Sequence, residues 1–182
     1  GLLMIAGELD ISVGSMVPAG SMTTAIIAGH YHQSIWLAVA AVLLLGVVIG
    51  LINGILVVRT AVPSFIVTLG TLFAVAGTVL GLSVIITGTT SVAITAPQIA
   101  KSIFGDLYFN KQFQIIIAWW LAATIIYVFV VHYTKYGNWI FAMGGDKESA
   151  RNAGIPTRKL TITLFILSAT SAAFVGMCQA IL

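Results

Sequence analysis

The stretch "IWLAVAAVLLLGVVIGLINGILVV", residues 35–58, carries no charged side chain. An α-helix rises about 1.5 Å per residue, and about 20 apolar residues cross a hydrocarbon core of roughly 30 Å. This stretch is therefore read as a membrane span. Phe65–Ile86, Phe113–His132 and Leu160–Leu182 satisfy the same criterion. A fifth stretch, Leu2–Ala28, is long enough but is interrupted by Glu8, Asp10, Gly14, Pro18 and Gly20. It is expected to form a broken or re-entrant helix.

Composition agrees with this reading. Charged residues make up 7% of the 182, against about 25% in an ordinary soluble domain, and the mean hydropathy is +1.09. So few polar residues cannot cover the surface of a soluble fold, so membrane lipid must solvate much of it. The expected fold class is all-α, a polytopic transmembrane helix bundle. The chain opens on Gly1 and stops at Leu182 inside an apolar run. It is accordingly expected to be a fragment, a single membrane domain over residues 1–182 incomplete at both ends. Its one cysteine, Cys178, allows no intrachain disulfide and reads as a small buried side chain.

The net charge of +3 does not point to nucleic acid, because the basic residues lie in the gaps between apolar runs rather than on one accessible face. They report topology instead, since Lys and Arg are retained preferentially in the cytoplasm. The gap 133–159 holds Lys135, Lys147, Arg151, Arg158 and Lys159, whereas 87–112 holds Lys101 and Lys111. Placing the first gap in the cytoplasm makes the second external, and alternation then puts Arg59 inside, although Arg59 was not used to set the orientation. Trp36, Tyr108, Trp119, Tyr133, Tyr136 and Trp139 fall near span ends, where amphipathic rings sit at the headgroups.

Small residues recur at intervals of four. Gly46, Gly50 and Gly54 form one stripe, Gly77 and Gly81 a second, and Ser168, Ala172, Gly176 and Ala180 a third. Such stripes let backbones approach closely where lipid supplies no hydrophobic drive to associate. Three of them point to a tightly packed bundle.

The longest polar stretch with ordered features is "FAMGGDKESARNAGIPTRK", residues 141–159. Gly144 and Gly145 read as a flexible entry and Asp146 as an N-cap. Gly154 supplies a left-handed stop, and Pro156 prevents continuation. The result is a cytoplasmic helix of about two turns, too short to hold itself together in water. Two readings stay open: a turn packed on its own bundle, and a helix that docks a partner through a smooth Ala150 and Ala153 side, with Glu148 and Arg151 as pairing groups.

Three motifs in order, "GELDISVGS" at 7–15, "NGILVVRTAVPSFIVTLGT" at 53–71 and "YGNWIFAMGGDKESARNAGI" at 136–155, make the chain resemble the permease subunits of bacterial ABC importers. The resemblance is to the branch that carries ribose, xylose and related monosaccharides, and it runs through nearly the whole chain. It implies a permease in the inner membrane that passes a monosaccharide or a similar small polar solute. It also implies a second permease copy, two cytoplasmic ATP-binding subunits and a periplasmic sugar-binding protein. ATP and magnesium would be bound by the ATPase partners, with no cofactor and no catalytic residue in this chain. By the same resemblance, Gly144, Gly145, Asp146, Glu148, Ala150, Arg151 and Gly154 form the loop that couples ATPase closure to the membrane. The sequence departs from the family's usual motifs at two places that bear on this. Lys147 stands where the family often has Pro, and Glu8 stands where it commonly has Gly.

A carboxylate at bilayer depth normally faces water, a cavity or a partner, and non-helical backbone there is tolerated on the same condition. Asp10, Ser12, Ser15 and Glu8, with Asn53 and Thr68, are the candidates for a translocation path or a helix break. Whether Asp10, Ser12 and Ser15 meet sugar hydroxyls or satisfy loosened backbone amides stays open. The alternative to an ATP-driven importer is a secondary transporter in which Glu8 or Asp10 binds a proton or sodium ion in a broken helix. His30 and His32 are too thin a set for a metal site, and no Walker-type loop occurs.

Overall fold

Each long apolar run ends where a residue satisfies or releases the helix backbone. The first begins behind Ser34, whose Oγ accepts from Trp36 N, and ends where Thr60 turns extended; the next begins behind Pro63 and stops at Gly88, in the left-handed region at φ 72°. A computed structural model of the chain describes residues 1–60, 62–90, 94, 97–105, 107–108 and 113–182. In chain order these form α1 (Leu2–Ile5), α2 (Val13–Thr24) continuing into a π-helical turn (Ala25–His30), α3 (Ile35–Arg59) and α4 (Ser64–Thr87). Then follow α5 (Gln98–Ala100) with a π-helical turn (Lys101–Gly105), a two-residue antiparallel ladder of β1 (Leu107–Tyr108) on β2 (Phe113–Gln114), and α6 (Ile115–Tyr133). The chain closes with α7 (Lys135–Gly145), α8 (Lys147–Asn152) and α9 (Thr157–Ile181). Lys111, assigned to the external gap above, lies outside the described residues.

The fold is the all-α bundle expected: α3, α4, α6 and α9 are each long and apolar enough to cross a membrane. Helix α9 starts at Thr157, three residues ahead of the apolar run, because Pro156 occupies its N-cap and leaves Arg158 and Lys159 in the first turn. Polar residues are acceptable there, since the turn projects beyond the hydrocarbon.

Helix α9 is the axis of the bundle. A Cβ added at Gly46 would lie 2.6 Å from Thr170 Cα, at Gly50 2.5 Å from Ile166 Cα, and at Gly54 2.8 Å from Ile162 Cα. Contacts step forward along α3 and backward along α9, so the two helices are antiparallel, the relation that alternating spans require. Glycine alone permits this spacing, because the atoms in the way are backbone. Helix α2 crosses α9 just as closely, with Gly20 on the Ala173 backbone and Gly176 on the Val17 carbonyl. Around these crossings Met16, Ala19, Val42, Phe165, Ala169, Ala173, Met177 and Cys178 are fully enclosed.

The second stripe behaves differently. A Cβ at Gly77 or Gly81 would meet nothing within 4 Å, and α4 and α6 are largely uncovered along their length. Among the described residues no helix of this chain faces those two glycines. Spacing alone identifies a smooth surface but not its occupant.

Gly50→Ala should therefore destabilise the detergent-solubilised protein by about 1–3 kcal/mol, the usual penalty of overpacking. Gly77→Ala, with open space ahead of it, should be neutral or stabilising by up to about 1 kcal/mol through helix propensity. Thermal unfolding of the two variants checks both signs.

Candidate functional site: the helix break and the α7–α8 corner

The run Leu2–Ala28 is broken, and the break has a defined chemistry. Helix α1 ends at Gly7, φ 81°, with Gly7 N donating to Met4 O and Glu8 N to Leu3 O. This paired 5→2 and 6→1 termination favours glycine at the left-handed position. The amides of residues 9–12 then make no helical bonds before α2 begins, and two of them find partners on another helix. Leu9 N donates to Ser64 Oγ at 3.0 Å and Ile11 N to Thr68 Oγ1 at 3.2 Å, both on α4. Ser12 N and Ser12 Oγ both donate to Asp10 Oδ1, at 3.0 and 2.5 Å.

The network continues into α3. Asn53 Nδ2 donates to Ser12 Oγ at 3.0 Å, while Asn53 Oδ1 accepts from Thr71 Oγ1 at 2.6 Å. Ser12, Asn53 and Thr68 are fully buried. Ser15 Oγ donates back to Ser12 O at 2.9 Å. Asp10, Ser12, Ser15, Asn53 and Thr68 are thus brought together in one polar knot, to which Ser64 and Thr71 also belong. Sequence reasoning passed over those two; the available signal was Pro63, which marks the start of α4 and so places Ser64 and Thr68 one turn apart on one face. Asp10 Oδ2 is buried and has no hydrogen-bond partner among the described residues.

The knot is not at mid-membrane. Asn53 lies six residues before Arg59, about 9 Å along the axis, and Thr68 about 6 Å past the start of α4. A hydrocarbon core of roughly 30 Å has its centre about 15 Å from either face. The break therefore lies toward the end of the bundle that carries Arg59. A cavity of 610 Å³ between α1, α2, α6 and α9 is lined mainly by chains such as Val17, Val128, Leu164 and Leu167 and by none of the six candidate pathway residues.

Beside the knot sits the α7–α8 corner. Gly144 and Gly145 are the last residues of α7, not a flexible entry. The signal for this helix was Gly137, Ile140 and Met143 at intervals of three, and these are its buried residues. Gly144 presses directly on the Ile5 carbonyl oxygen, so a side chain there would collide with the α1 backbone. Asp146 caps α8: its Oδ1 accepts from Glu148 N at 2.8 Å and Ser149 N at 3.1 Å, and its Oδ2 accepts from Ser149 Oγ at 3.0 Å. These bonds to Ser149 and Glu148 hold the Asp146 carboxyl below its ordinary value of 3.8. Gly154, φ 85°, closes the other end, with Gly154 N on Arg151 O and Ile155 N on Ala150 O.

The orientation of α8 corrects one expectation. Ala150 is 4% exposed and packs into a cluster with Leu3, Ala6, Ile140, Met143, Leu160, Leu164 and Phe165. The small face of α8 is therefore its inner side, toward this chain's own bundle, and Ala153 is exposed. The short Ala150 side chain lets the helix lie flat against α7 and α9. The outward side carries Glu148, Arg151 and Asn152, and a 380 Å³ cleft beside it is bordered by Val57, Lys147, Arg151 and Arg158.

Glu8 is held by Lys147, whose Nζ donates to Glu8 Oε1. Glu8 is the residue after Gly7 at the start of the break, and Lys147 is the first residue of α8. Both stand where the sequence departs from the motifs it resembles.

A broken helix satisfied by its neighbours, four membrane-length helices and a short capped helix on one bundle end define a polytopic helical membrane protein. Over residues 1–182 the chain matches the family model described as branched-chain amino acid transport system / permease component, and it belongs to that family. It is 29% identical over 177 residues to the inner membrane ABC transporter permease protein YjfF of Escherichia coli (strain K12), covering 96% of this chain and 52% of that one. It is 34% identical over 179 residues to the L-arabinose transport system permease protein of the same organism, covering 97% and 52%, and 27% identical over 180 residues to its ribose import permease protein, covering 98% and 54%. The chain spans about half the length of the curated relatives it matches. No solved structure matches.

Two outcomes test the site's construction. Asn53→Ala leaves the Ser12 and Thr71 hydroxyls without their amide partner and should cost about 1–3 kcal/mol in thermal unfolding of the solubilised permease. The contribution of the Asp146 cap is present above the ordinary aspartate value and lost as pH falls through the lower folded value. Amide exchange at Glu148 and Ser149, corrected for intrinsic rates, should therefore accelerate only below about pH 4, and in Asp146→Ala at every pH.

Proposed function

We propose that this chain is the membrane-spanning part of an ATP-driven importer in a bacterial inner membrane, passing a monosaccharide or a similar small polar solute. Residues 1–182 act as one membrane domain with the 133–159 segment in the cytoplasm. A second permease copy completes the pathway, a periplasmic binding protein delivers the solute, and cytoplasmic ATP-binding subunits bind ATP and magnesium and hydrolyse the nucleotide. The observation that carries this reading is α8. It is capped at both ends by its own residues and seated on the bundle through Ala150, and it turns a charged side outward where no described residue covers it. A six-residue helix is otherwise unstable, and its rigid presentation has a purpose if a partner pushes on it.

The relatives' printed names support a sugar rather than an amino acid as the solute. The ion-driven reading is disfavoured by two features. Discontinuous helices of secondary transporters hold their ions near the midplane, whereas this break lies near one face. Glu8, one of the two acids that could hold the ion, is already paired with Lys147.

The test is a single cysteine at Asn152, on the outward side of α8, in the full-length permease with Cys178 replaced, crosslinked in membranes to the candidate ATP-binding subunit. The expected result is a specific crosslink whose yield changes with ATP. Its absence, with the ATPase present and position 152 accessible from the cytoplasm, would return the ion-gradient mechanism to first place.

A further inference from the structure

We propose that Glu8 and Lys147 form the positioning contact through which α8 moves the helix break. The pair spans 139 residues of sequence. It is the only ion pair, and the only side-chain hydrogen bond from α7–α8 to the rest of the bundle, among the described residues. The Glu8 side chain is 12% exposed and the Lys147 side chain 44%, so the carboxylate end of the pair is largely enclosed by the bundle while the ammonium end stays with the exposed start of α8.

Its placement gives it leverage. Lys147 begins α8, one residue after the Asp146 cap, so it moves with that helix as a rigid unit. Glu8 follows Gly7 and immediately precedes Leu9, whose amide is bonded to Ser64 on α4. A shift of Lys147 is thus delivered to the residue that links α1 to the polar knot. The remaining attachments cannot do the same work. Ala150 sits in an apolar cluster without a directional bond, and Gly144 on the Ile5 carbonyl resists approach but cannot pull. The contact surfaces push, and the ion pair pulls. Arg151 and Arg158 border the adjacent cleft but carry no ion pair in the described structure, leaving Lys147 as the cation committed to the break.

This inference rests on the proposed role of α8 and is tested so that the two can fail separately. The full-length permease, assembled with its ATP-binding subunit in membranes and lacking Cys178, receives Leu9→Cys. Labelling by a membrane-impermeant maleimide is measured with and without ATP plus vanadate, and Asn152→Cys crosslinking to the ATPase is followed in parallel. With the pair intact, labelling at position 9 should change by about fivefold or more between the two states, the lower range of ordinary site-to-site coupling. Glu8→Gln and Lys147→Gln should each abolish the change while the Asn152 crosslink persists, and the swap Glu8→Lys with Lys147→Glu should restore it. A merely structural pair would leave the nucleotide response intact in the Gln variants, which overturns the inference, as does a swap that restores nothing. If the intact pair shows neither the Asn152 crosslink nor a nucleotide response, the ATP-driven reading falls and the inference with it.

Discussion

Backbone amides inside a membrane need partners within the protein, and the chain from Leu9 to Ser12 has given up its helical ones. Each unsatisfied group in hydrocarbon costs several kcal/mol, so the break exists only because α3 and α4 come to it. Ser64 and Thr68 supply acceptors to Leu9 and Ile11, and Asp10 supplies one to Ser12. Asn53 then fixes α3 to the same point through Ser12 and to α4 through Thr71. Three helices are registered by one loosened segment. The carboxylate of Asp10 serves that purpose with one oxygen, and its other oxygen is buried and unpaired.

The register would be lost if the helices could slide, and α9 prevents that. Its contacts with α2 and α3 are backbone against backbone, at Gly20, Gly46, Gly50, Gly54 and Gly176. Without a hydrophobic drive between helices in lipid, close packing of this kind and interhelical polar bonds are the available cohesive forces. Here the two act together: glycine contacts run along α9 as far as Gly54, next to Asn53, where the polar bonds of the break begin. The bundle is tight about α9 and open along α4 and α6, so conformational change has rigid and yielding sides on which to act.

The four spans, the interruption of the first run, the Asp146 cap and the Gly154 stop were legible because each is decided by a few neighbouring residues. Span length, capping and left-handed closure are local physics. Ala150 shows where that ends. Its small side chain announced a contact face, but whether a partner or the chain's own Leu3 and Phe165 fills that face is a tertiary fact. Gly77 and Gly81 show the same limit, being smooth and uncovered. Helix α7 was overlooked because a polar gap between spans reads as a loop, although Gly137, Ile140 and Met143 carried a helical period. The pairing of Glu8 with Lys147 was out of reach, since nothing in either motif names the other.

The distribution of charge ties these parts into one mechanism. Of five acidic residues in the chain, Glu8, Asp10, Asp146 and Glu148 gather at the end that also bears Arg59, Lys147, Arg151, Arg158 and Lys159, and Asp106 lies outside the described residues. Lys and Arg at that end suffice to set orientation, so the acids are not needed for topology. Each described acid instead fixes a backbone or sits beside a segment that does: Asp10 the break, Asp146 the start of α8, Glu8 the link between them. Glu148 alone faces outward with its neighbours Arg151 and Asn152. A membrane domain with so few charges thus gathers most of its acids where one short helix is held against one helix break.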